Sequence, residues 1–493
     1  MAISASLIAR LRDPALVREA SLIAGKWLEE SASGASFDVI NPSDGSILAS
    51  VPDMGLVEIR SAIDAAYLAQ KAWASVTAKQ RSLVLRQYYD LLVANLDDLA
   101  TILVAEMGKP FNEAKGEILY GAAYAEWYSE EAKRLYGDII PGHQQDKRLF
   151  VIRQPVGVVG GITAWNFPSA MPMRKIAPAL AAGCAMVFKP ADLTPLSAIA
   201  LGVLAERAGV PAGLLSIVTI RDATVFGTEI CQNAKVRKLT FTGSTQVGRL
   251  LMRQASDQIM KLSLELGGNA PFIVFDDADL EAAVEGAIQS KFRNAGQTCV
   301  CANRLYVQSG IYDAFASKLT ERVAALKVGD GFEPGVDIGP MIDRRAVAKV
   351  MAHVEDATRH GGRVTTGGRT LERGPLFLAP TVVAYANAQM LFAREETFGP
   401  LAPLFRFDTV EDVIRMANET EFGLASYFYT RDISRAWRVA EALEYGMVGM
   451  NTGLISTELA PFGGVKQSGV GREGSRYGLE DFTEMKYMCL GAI

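Results

Sequence analysis

The sequence predicts an α/β protein in which parallel β-sheets are covered by helices on both faces. Short apolar runs alternate with Ala- and Leu-rich helical segments between residues 154 and 275, a pattern typical of strands buried on both faces. The chain has 493 residues, of which 49% are hydrophobic, so its apolar content is sufficient for two or three compact domains. The apolar runs read VGVVGGIT, AMVFK, LLSIVT, KLTFTG and KLSLEL. We therefore expect a doubly wound arrangement of repeated βα units.

The flanking segments extend this pattern in chain order. Turn signals at Asn41-Pro42 and Asp44-Gly45 predict short hairpin strands near the N-terminus. Apolar residues recur at helical spacing over residues 57–107, which predicts amphipathic helices. A second βα region is predicted from residue 271 onward, with a helix at 280–288 and strands at NRLYVQ and 381–383.

Charge and hydropathy restrict the expected partners to small molecules. The formal net charge is −5 and no long Lys/Arg block is present, so we expect neither nucleic-acid nor membrane binding. The longest apolar run, residues 176–188, has about 13 residues, fewer than the ~20 that span a bilayer. The first 14 residues lack the charged-then-apolar order of a secretion signal, which favours a cytoplasmic protein.

Cysteine and histidine usage limits the chemistry further. The five cysteines are odd in number and widely spaced, which indicates a reducing compartment rather than a disulfide framework. The three histidines lie far from any nucleophile-like motif, so we expect no metal site. A base that acts together with a cysteine is therefore expected to be a carboxylate.

Polar and aromatic side chains follow four of the predicted strands. Ligands of doubly wound sheets bind at the carboxyl ends of the strands, so these side chains are expected at one edge of the sheet. They are Trp165 and Asn166, Lys189 and Asp192, the segment from Thr242 to Thr245, and Glu265.

The stretch GQTCVCANR, residues 296–304, carries the candidate nucleophile Cys299. A thiol is the strongest neutral-pH nucleophile among side chains, and Gly296, Gln297 and Asn303 surround this one with polar or small residues. The spacing alone leaves open a buried, inert cysteine.

The stretch FTGSTQVG, which contains Gly243 and Ser244, also has two interpretations. Backbone N–H groups at the start of the following helix could hold a phosphate, or the glycines could serve a plain strand-turn-helix connection.

Seven separated motifs make the chain resemble the aldehyde dehydrogenase superfamily over nearly its whole length. They are WNFP at 165–168, FKPAD at 188–192, FTGSTQVG at 241–248, LELGGN at 264–269, GQTCVCANR at 296–304, EETFGP at 395–400 and PFGGVKQSGVGREG at 461–474. Within the superfamily, the stretches FRNAGQTCVCANR, NTGLIS and PFGGVKQSG are most similar to the succinate-semialdehyde dehydrogenase group.

This resemblance implies an aldehyde dehydrogenase-like α/β fold with a Rossmann-type cofactor domain, an α/β catalytic domain and a β-flap that joins subunits. The implied ranges are 1–129 and 149–263 for the cofactor domain, 264–469 for the catalytic domain, and 130–148 and 470–493 for the oligomerisation flap. The alternation at Tyr487 and Cys489 fits an exposed strand that needs a neighbour, so a homodimer or homotetramer is expected.

The resemblance also implies the roles of three catalytic residues. The thiol of Cys299 would add to the aldehyde carbonyl, and the side-chain amide of Asn166 with the backbone N–H of Cys299 would stabilise the resulting oxyanion. Glu265 would act as the general base that activates water to cleave the thioester.

For the nicotinamide cofactor, the resemblance implies a further set of residues. Lys189 and Glu396 would bind the two riboses, and Phe398 would contact the nicotinamide. The pyrophosphate path would be formed by Trp165, Gly243 and Ser244.

The choice between NAD and NADP depends on position 192. A carboxylate at Asp192 accepts hydrogen bonds from a 2′-hydroxyl and repels a 2′-phosphate, so NAD is favoured. Arg221 leaves NADP open because its charge could compensate the phosphate.

The resemblance implies an aldehyde that carries a distal carboxylate. Arg174, Arg293 and Ser456 stand where the semialdehyde enzymes place their carboxylate clamp, and a guanidinium matches a carboxylate in geometry. Succinate semialdehyde is the expected substrate. Pro172-Met173 replaces the Ile-Thr of similar enzymes, so glutarate semialdehyde or a broad-specificity aldehyde dehydrogenase stays open. A structural, crystallin-like relative is the non-enzyme alternative, and the intact catalytic motifs argue against it.

Cys301 lies two residues after Cys299. In an extended segment their side chains face the same way at roughly 6.5 Å, near the outer limit for a disulfide. We expect a reversible oxidative switch between the two thiols.

Overall fold

Within residues 3–492, the part of the chain that the computed structural model describes, four β-sheets and fifteen α-helices are formed. The strands are β1 (Ser21–Ile23), β2 (Lys26–Leu28), β3 (Ser36–Ile40), β4 (Ile47–Pro52), β5 (Asp138–Ile140), β6 (Arg148–Pro155), β7 (Val158–Ile162), β8 (Ala185–Lys189), β9 (Leu215–Ile217), β10 (Val236–Thr242), β11 (Lys261–Glu265), β12 (Ala270–Val274), β13 (Ala302–Gln308), β14 (Arg363–Thr366), β15 (Thr381–Ala386), β16 (Leu401–Phe407), β17 (Ala425–Tyr429), β18 (Met447–Met450), β19 (Gly469–Val470) and β20 (Thr483–Leu490). The helices are α1 (Ala5–Ile8), α2 (Leu56–Ala74), α3 (Ala78–Ala94), α4 (Leu96–Met107), α5 (Phe111–Glu131), α6 (Ala170–Ala182), α7 (Pro195–Arg207), α8 (Ala223–Gln232), α9 (Thr245–Ala255), α10 (Leu280–Lys291), α11 (Tyr312–Ala324), α12 (Arg344–Arg359), α13 (Val410–Asn418), α14 (Ile433–Ala442) and α15 (Tyr477–Glu480).

The first large sheet has the strand order β19-β11-β10-β7-β8-β9-β1-β2. Its neighbours from β11 to β9 are parallel, and antiparallel strands complete both ends. Every residue of β7 and β8 is buried, as expected for strands covered on both faces. The parallel βα units predicted from the apolar runs are confirmed.

The second large sheet has the order β14-β15-β16-β13-β12-β17-β18 and is parallel except for β14. A separate hydrophobic core surrounds each large sheet. The first sheet's core includes Leu266 and the second's begins at Ala270, so the chain passes between the two cores over these few residues. The predicted boundary at residue 264 falls inside β11, because Glu265 still pairs in the first sheet.

The third sheet has the order β20-β6-β5 and is built from residues in and beside the two predicted flap ranges. The predicted range 470–493 also contains Val470 of β19, which pairs with β11, and Leu479 and Phe482, which lie in the first core. Strand β6 continues beyond the predicted range 130–148 to Pro155 while paired with β20. Residues 1–2 and 493 of the predicted ranges lie outside the described residues.

The other predicted elements agree with the structure. The turn signals near the N-terminus connect the hairpin strands β3 and β4, and residues 57–107 lie almost entirely in α2, α3 and α4. The apolar run at 176–188 divides into the end of α6 and most of β8. Gly183, with a left-handed φ of +93°, ends the helix between them. Among the helices of residues 3–492, none has the length and apolar character that a bilayer crossing requires.

Candidate active site

Cys299 lies where two cavities meet. The small cavity has a volume of about 240 Å³, and the large cavity has a volume of about 580 Å³. Cys299 and Met171 line both of them. The residues predicted to bind substrate, Arg174, Arg293 and Ser456, line the small cavity. Seven other predicted residues line the large cavity, namely Trp165, Asn166, Gly243, Ser244, Glu265, Glu396 and Phe398. The thiol is therefore accessible to groups in either cavity.

The loop before Cys299 has an unusual backbone conformation. Asn294, Ala295 and Gly296 have φ angles of 53°, 55° and 74°, three successive residues in the left-handed region. A Cβ on Gly296 would lie 2.2 Å from the carbonyl oxygen of Gly399, so only glycine fits there. Left-handed non-glycine residues cost ~1–3 kcal/mol each and persist only where surrounding contacts enforce them. The loop is therefore held in place by its neighbours.

Gln297 provides several of those contacts. Its Oε1 accepts a hydrogen bond from the backbone N–H of Ile342 at 3.0 Å, and its Nε2 donates to the carbonyl oxygen of Asn294 at 3.2 Å. Its own carbonyl oxygen accepts from Nδ2 of Asn166 at 3.0 Å. These bonds fix the approach of the chain to Cys299.

Asn166 follows strand β7, is 2% exposed, and faces this loop. One hydrogen of its side-chain amide is used by the bond to Gln297, and an amide nitrogen carries two. Its Oδ1 has no hydrogen-bond partner among the described residues. The second N–H of Asn166 is thus available in the large cavity, which Cys299 also lines.

Glu265 is the last residue of β11 and is 4% exposed. Its Oε2 has no hydrogen-bond partner within residues 3–492. Burial raises the pKa of Glu265 well above its ordinary value of 4.5, and the neighbouring Glu473 raises it further against the opposing effect of Arg174. A carboxyl group with a raised pKa near a nucleophile suits proton transfer at neutral pH.

Arg174 and Lys175 share one carboxylate. Nη2 of Arg174 lies 2.6 Å from Oε2 of Glu473, and Lys175 forms a buried ion pair with the same side chain. Burial alone would raise the pKa of Glu473, but the two cations hold it below its ordinary value. The guanidinium of Arg174 also lies 3.9 Å from the ring centroid of Phe462. Its charge is therefore already balanced inside the protein.

Arg293 differs from Arg174 in this respect. It lines the small cavity, and its guanidinium lies 5.7 Å from the ring centroid of Phe167. Among the ion pairs of the described residues, Arg293 takes part in none. Of the two predicted clamp arginines, Arg293 is the one without an ion pair among the described residues.

Burial favours the protonated form of the Cys299 thiol. Burial raises its pKa to about 12, and Glu396 and Glu265 add to the shift while Arg174 opposes it. Cys299 is partly buried where the two cavities meet, and its sulfur lies among carboxyl groups. A base must therefore accept the thiol proton before the sulfur attacks.

One end of the large cavity is aromatic. The rings of Trp165 and Phe398 meet edge to face, with centroids 5.6 Å apart. Beside them, Oε1 of Glu396 accepts a hydrogen bond from the N–H of Gly268 at 3.2 Å, and burial raises the pKa of Glu396 to about 7. Ser244 caps the N-terminus of α9 at another part of the wall.

Lys189 and Asp192 line neither cavity among the described residues. Lys189 ends strand β8, and its Nζ donates to the carbonyl oxygen of Pro190 at 3.0 Å. Burial lowers the pKa of Lys189, whereas Asp192, Asp53 and Asp222 oppose the change. The predicted ribose-binding lysine is thus surrounded by carboxylates, at the carboxyl end of a strand next to β7.

Several site residues were missed at the sequence level. Arg345 and Lys349, in the first turns of α12, line the large cavity. Lys109 and Glu117 form a buried ion pair of 2.5 Å in the wall of the small cavity. None of these four residues lies in a recognisable motif. A Lys and a Glu among apolar residues, as at Lys109 and Glu117, can nevertheless indicate a buried ion pair.

The segment from Cys299 to Cys301 is a turn, and the extended conformation expected for it is wrong. The N–H of Cys301 donates to the carbonyl oxygen of Thr298 at 3.0 Å, and β13 begins only at Ala302. The thiol of Cys301 is buried and lies 3.6 Å from the carbonyl oxygen of Lys291. Residue spacing alone does not reveal this turn.

Comparison with known proteins assigns the family. Residues 27–488 match the aldehyde dehydrogenase family. The chain is 60% identical over 482 residues to the succinate-semialdehyde dehydrogenase (NADP+) of Escherichia coli strain K12, covering 98% of this chain and 100% of that protein. It is 59% identical to the glutarate-semialdehyde dehydrogenase of Pseudomonas putida strain KT2440, covering 98% and 99%. A crystal structure of an E. coli NADP-dependent enzyme superposes with a TM-score of 0.97 at 60% identity, over 98% of this chain and 100% of that one. The chain belongs to the aldehyde dehydrogenase family.

Proposed function

We propose that this protein oxidises a carboxylate-bearing aldehyde, succinate semialdehyde first, to the acid with a nicotinamide cofactor. The observation that carries the proposal is that Arg293, which has no ion pair among the described residues, lines the small cavity together with Cys299. A cation and a nucleophile in the wall of one cavity match a short chain with a carboxylate and an aldehyde. The E. coli and P. putida relatives, which are named for four- and five-carbon semialdehydes, support the same substrate class.

The reaction begins at sulfur. Glu265 accepts the thiol proton, and the sulfur of Cys299 forms a bond to the aldehyde carbon. The free N–H of the Asn166 amide and the backbone N–H of Cys299 donate to the oxygen that becomes negative, and one such donor is worth about 10²–10³ in rate. Glu265 releases this proton to solvent and, after hydride has left the carbon, takes a proton from the water that cleaves the thioester. That proton passes to the sulfur as the acid leaves, which restores the thiol.

The large cavity fits a nicotinamide cofactor. Its aromatic end suits a flat ring, Glu396 suits ribose hydroxyls, and the capped start of α9 suits a phosphate. A Cβ on Gly267 would lie 3.0 Å from Oε2 of Glu396, so glycine there keeps the wall beside this carboxylate clear. When bound, the oxidised nicotinamide accepts the hydride that leaves the aldehyde carbon.

We favour NAD over NADP. Asp192, Asp53 and Asp222 place three carboxylates near Lys189, and a 2′-phosphate would add negative charge among them. The E. coli relative is named for NADP, so the decisive measurement is the ratio of kcat/KM for the two cofactors. We expect NAD to be preferred and Asp192→Ala to shift the ratio towards NADP. A wild-type preference for NADP would contradict this assignment.

The substrate proposal is tested with a panel of succinate semialdehyde, glutarate semialdehyde and hexanal. Wild type should prefer a semialdehyde, and Arg293→Ala should lower kcat/KM for semialdehydes by about 10- to 150-fold, because a charge-assisted hydrogen bond contributes ~1.5–3 kcal/mol. Hexanal turnover should change little, and Arg293→Lys should retain part of the preference. A wild-type preference for hexanal would indicate the broad-specificity alternative instead.

We also propose that the third sheet joins subunits into a homodimer or homotetramer. After Thr483, every residue of β20 is exposed, and Ile139 in β5 is 81% exposed. Apolar side chains on exposed strands favour contact with another chain. Light scattering after size-exclusion chromatography should give two or four chains per particle, and a monomer at micromolar concentration would contradict the proposal.

A further inference from the structure

Gly116 lies in the interior of α5, where glycine needs an explanation. Glycine destabilises a helix relative to alanine because it has more backbone freedom to lose. Gly121 in the same helix has a clear packing reason, since a Cβ there would lie 3.0 Å from Cα of Ala170. A Cβ on Gly116 would meet no heavy atom within 4 Å, and its φ is not in the left-handed region. Neither packing nor backbone conformation requires glycine at 116.

The position of Gly116 in the wall of the small cavity explains why this residue is glycine. It lines the small cavity together with Glu113, Glu117 and Tyr120, which share one face of α5. Among the described residues that line this cavity, Gly116 is the exposed one. Cys299 lines the same cavity where it meets the large one. The small cavity therefore opens to solvent at Gly116 and ends at the thiol.

A side chain at 116 would narrow this opening. Side chains of a helix lean towards its N-terminus, so a larger residue at 116 would extend over the turn that contains Glu113. Because Glu113 is itself part of the cavity wall, the added atoms would occupy the outer part of the cavity.

We propose that Gly116 is a specificity-determining residue, whose missing side chain keeps the outer end of the small cavity open for aldehydes longer than the four-carbon semialdehyde. The inference rests on the proposed function, in which this cavity holds the aldehyde. Short substrates fill the part next to Cys299, whereas each added methylene extends the distal carboxylate towards the opening. Glycine at this position thus lowers the stability of the helix but allows longer aldehydes to bind.

The test compares aldehyde chain lengths in Gly116→Leu. We expect the ratio of kcat/KM for adipate semialdehyde to that for succinate semialdehyde to fall at least tenfold, with the four-carbon value changed less than threefold. The control is Leu119→Phe, which enlarges a side chain that is 46% exposed on the same helix and does not line the cavity. It should leave the ratio within twofold of wild type.

A second pair of variants tests whether Gly116 is needed for substrate access or for packing of the helix. Gly116→Ala should raise the melting temperature, and Gly121→Ala should lower it because its Cβ meets Ala170. A lower melting temperature for Gly116→Ala would overturn the inference, as would an unchanged ratio in Gly116→Leu or a wild-type enzyme inactive on longer semialdehydes.

Failure of the proposed function gives a different result. If the wild-type enzyme oxidises neutral aldehydes but no semialdehyde, the assignment of Arg293 as a carboxylate-binding residue is wrong. The same variants are then assayed with propanal and octanal. A selective loss of octanal turnover in Gly116→Leu would still support the role of Gly116, and an equal loss for both aldehydes would overturn it.

Discussion

The ammonium group of Lys109 donates a hydrogen bond to the backbone carbonyl oxygen of Asn166 at 2.9 Å. Its other partner, Glu117, accepts from the backbone N–H groups of Ser169 and Ala170 at 2.9 and 3.1 Å. The buried pair thus joins the segment that carries the Asn166 amide to the start of α6. We assign Lys109 as a positioning residue for that amide.

Replacement of Lys109 should therefore weaken catalysis without weakening cofactor binding. In Lys109→Met we expect kcat to fall about 10- to 100-fold, since misplacing one oxyanion donor has an effect of this order. Cofactor affinity, measured by fluorescence titration, should stay within threefold of wild type, and Lys109→Arg should restore part of kcat.

Stability must be separated from positioning in this experiment. Removing one partner of a buried ion pair costs ~3–5 kcal/mol, so the double variant Lys109→Met/Glu117→Gln, which leaves no unpaired charge, is the informative form. The control is Lys115→Met, which breaks an exposed pair between Lys115 of α5 and Asp97 of α4. Full kcat in the double variant would contradict the assignment.

Glu265 should produce a rising limb in the pH profile. Because burial raises its pKa, the carboxylate that serves as base becomes more populated as pH rises, so kcat should increase with pH through that raised pKa. Glu265→Gln should lose this limb and slow turnover by about 10²–10⁴-fold. Steady-state rates across neutral and alkaline pH measure both effects, and an unchanged limb in the variant would assign it to another group.

The same shift predicts a change in stability. Above the unfolded-state pKa near 4.5, the folded protein binds more protons at Glu265 than the unfolded chain does, so wild-type stability falls as pH rises towards the folded-state pKa. Glu265→Gln should therefore be the more stable form at alkaline pH, with the difference vanishing in acid. Thermal melts of both proteins at matched pH values measure this difference.

The thiol of Cys299 should react slowly at neutral pH in the absence of ligands. With a pKa of about 12, its thiolate fraction and its rate of alkylation by iodoacetamide should rise about tenfold per pH unit between neutral pH and pH 9. Cys489 is the exposed thiol that competes, so the measurement uses Cys489→Ser, with loss of activity as the readout. A rate that is flat over this range would show a thiolate already formed at neutral pH.

Oxidation should depend on Cys301 if the two thiols form a switch. Peroxide would take two electrons and two protons as the sulfur–sulfur bond forms, and a dithiol reductant would restore activity. The turn and the buried position of Cys301 require local movement first, so inactivation should take longer than alkylation at alkaline pH. Equal peroxide sensitivity and equal recovery in Cys301→Ala would exclude the switch.

Most of the fold and much of the site could be predicted from the sequence. Apolar runs of strand length predicted β7, β8, β10 and β11, because strands buried on both faces have little choice of residue. The polar residues after those strands then had to lie at one edge, and Asn166 and Glu265 do line one cavity. The family motifs identified the site residues in the loops before β13 and β16, namely Cys299, Glu396 and Phe398.

Side-chain contacts between residues far apart in the chain could not be predicted from local sequence patterns. Arg174 was expected to be free for substrate, but Glu473 neutralises it from 299 positions away. Lys109 has no motif around it, and its role depends on a carbonyl oxygen that side-chain patterns do not describe. The loop before Cys299 adopts left-handed backbone angles that residue types do not reveal.

The junction of the two cavities at Cys299 has a consequence for inhibitor design. A planar fragment in the large cavity and an anionic fragment in the small one would both end beside the same sulfur. Joining them through a reversible electrophile, such as a nitrile, turns two weak binding events into one, and the second fragment then binds at high effective concentration. Selectivity within the family would come from the anionic fragment, because its site depends on Arg293.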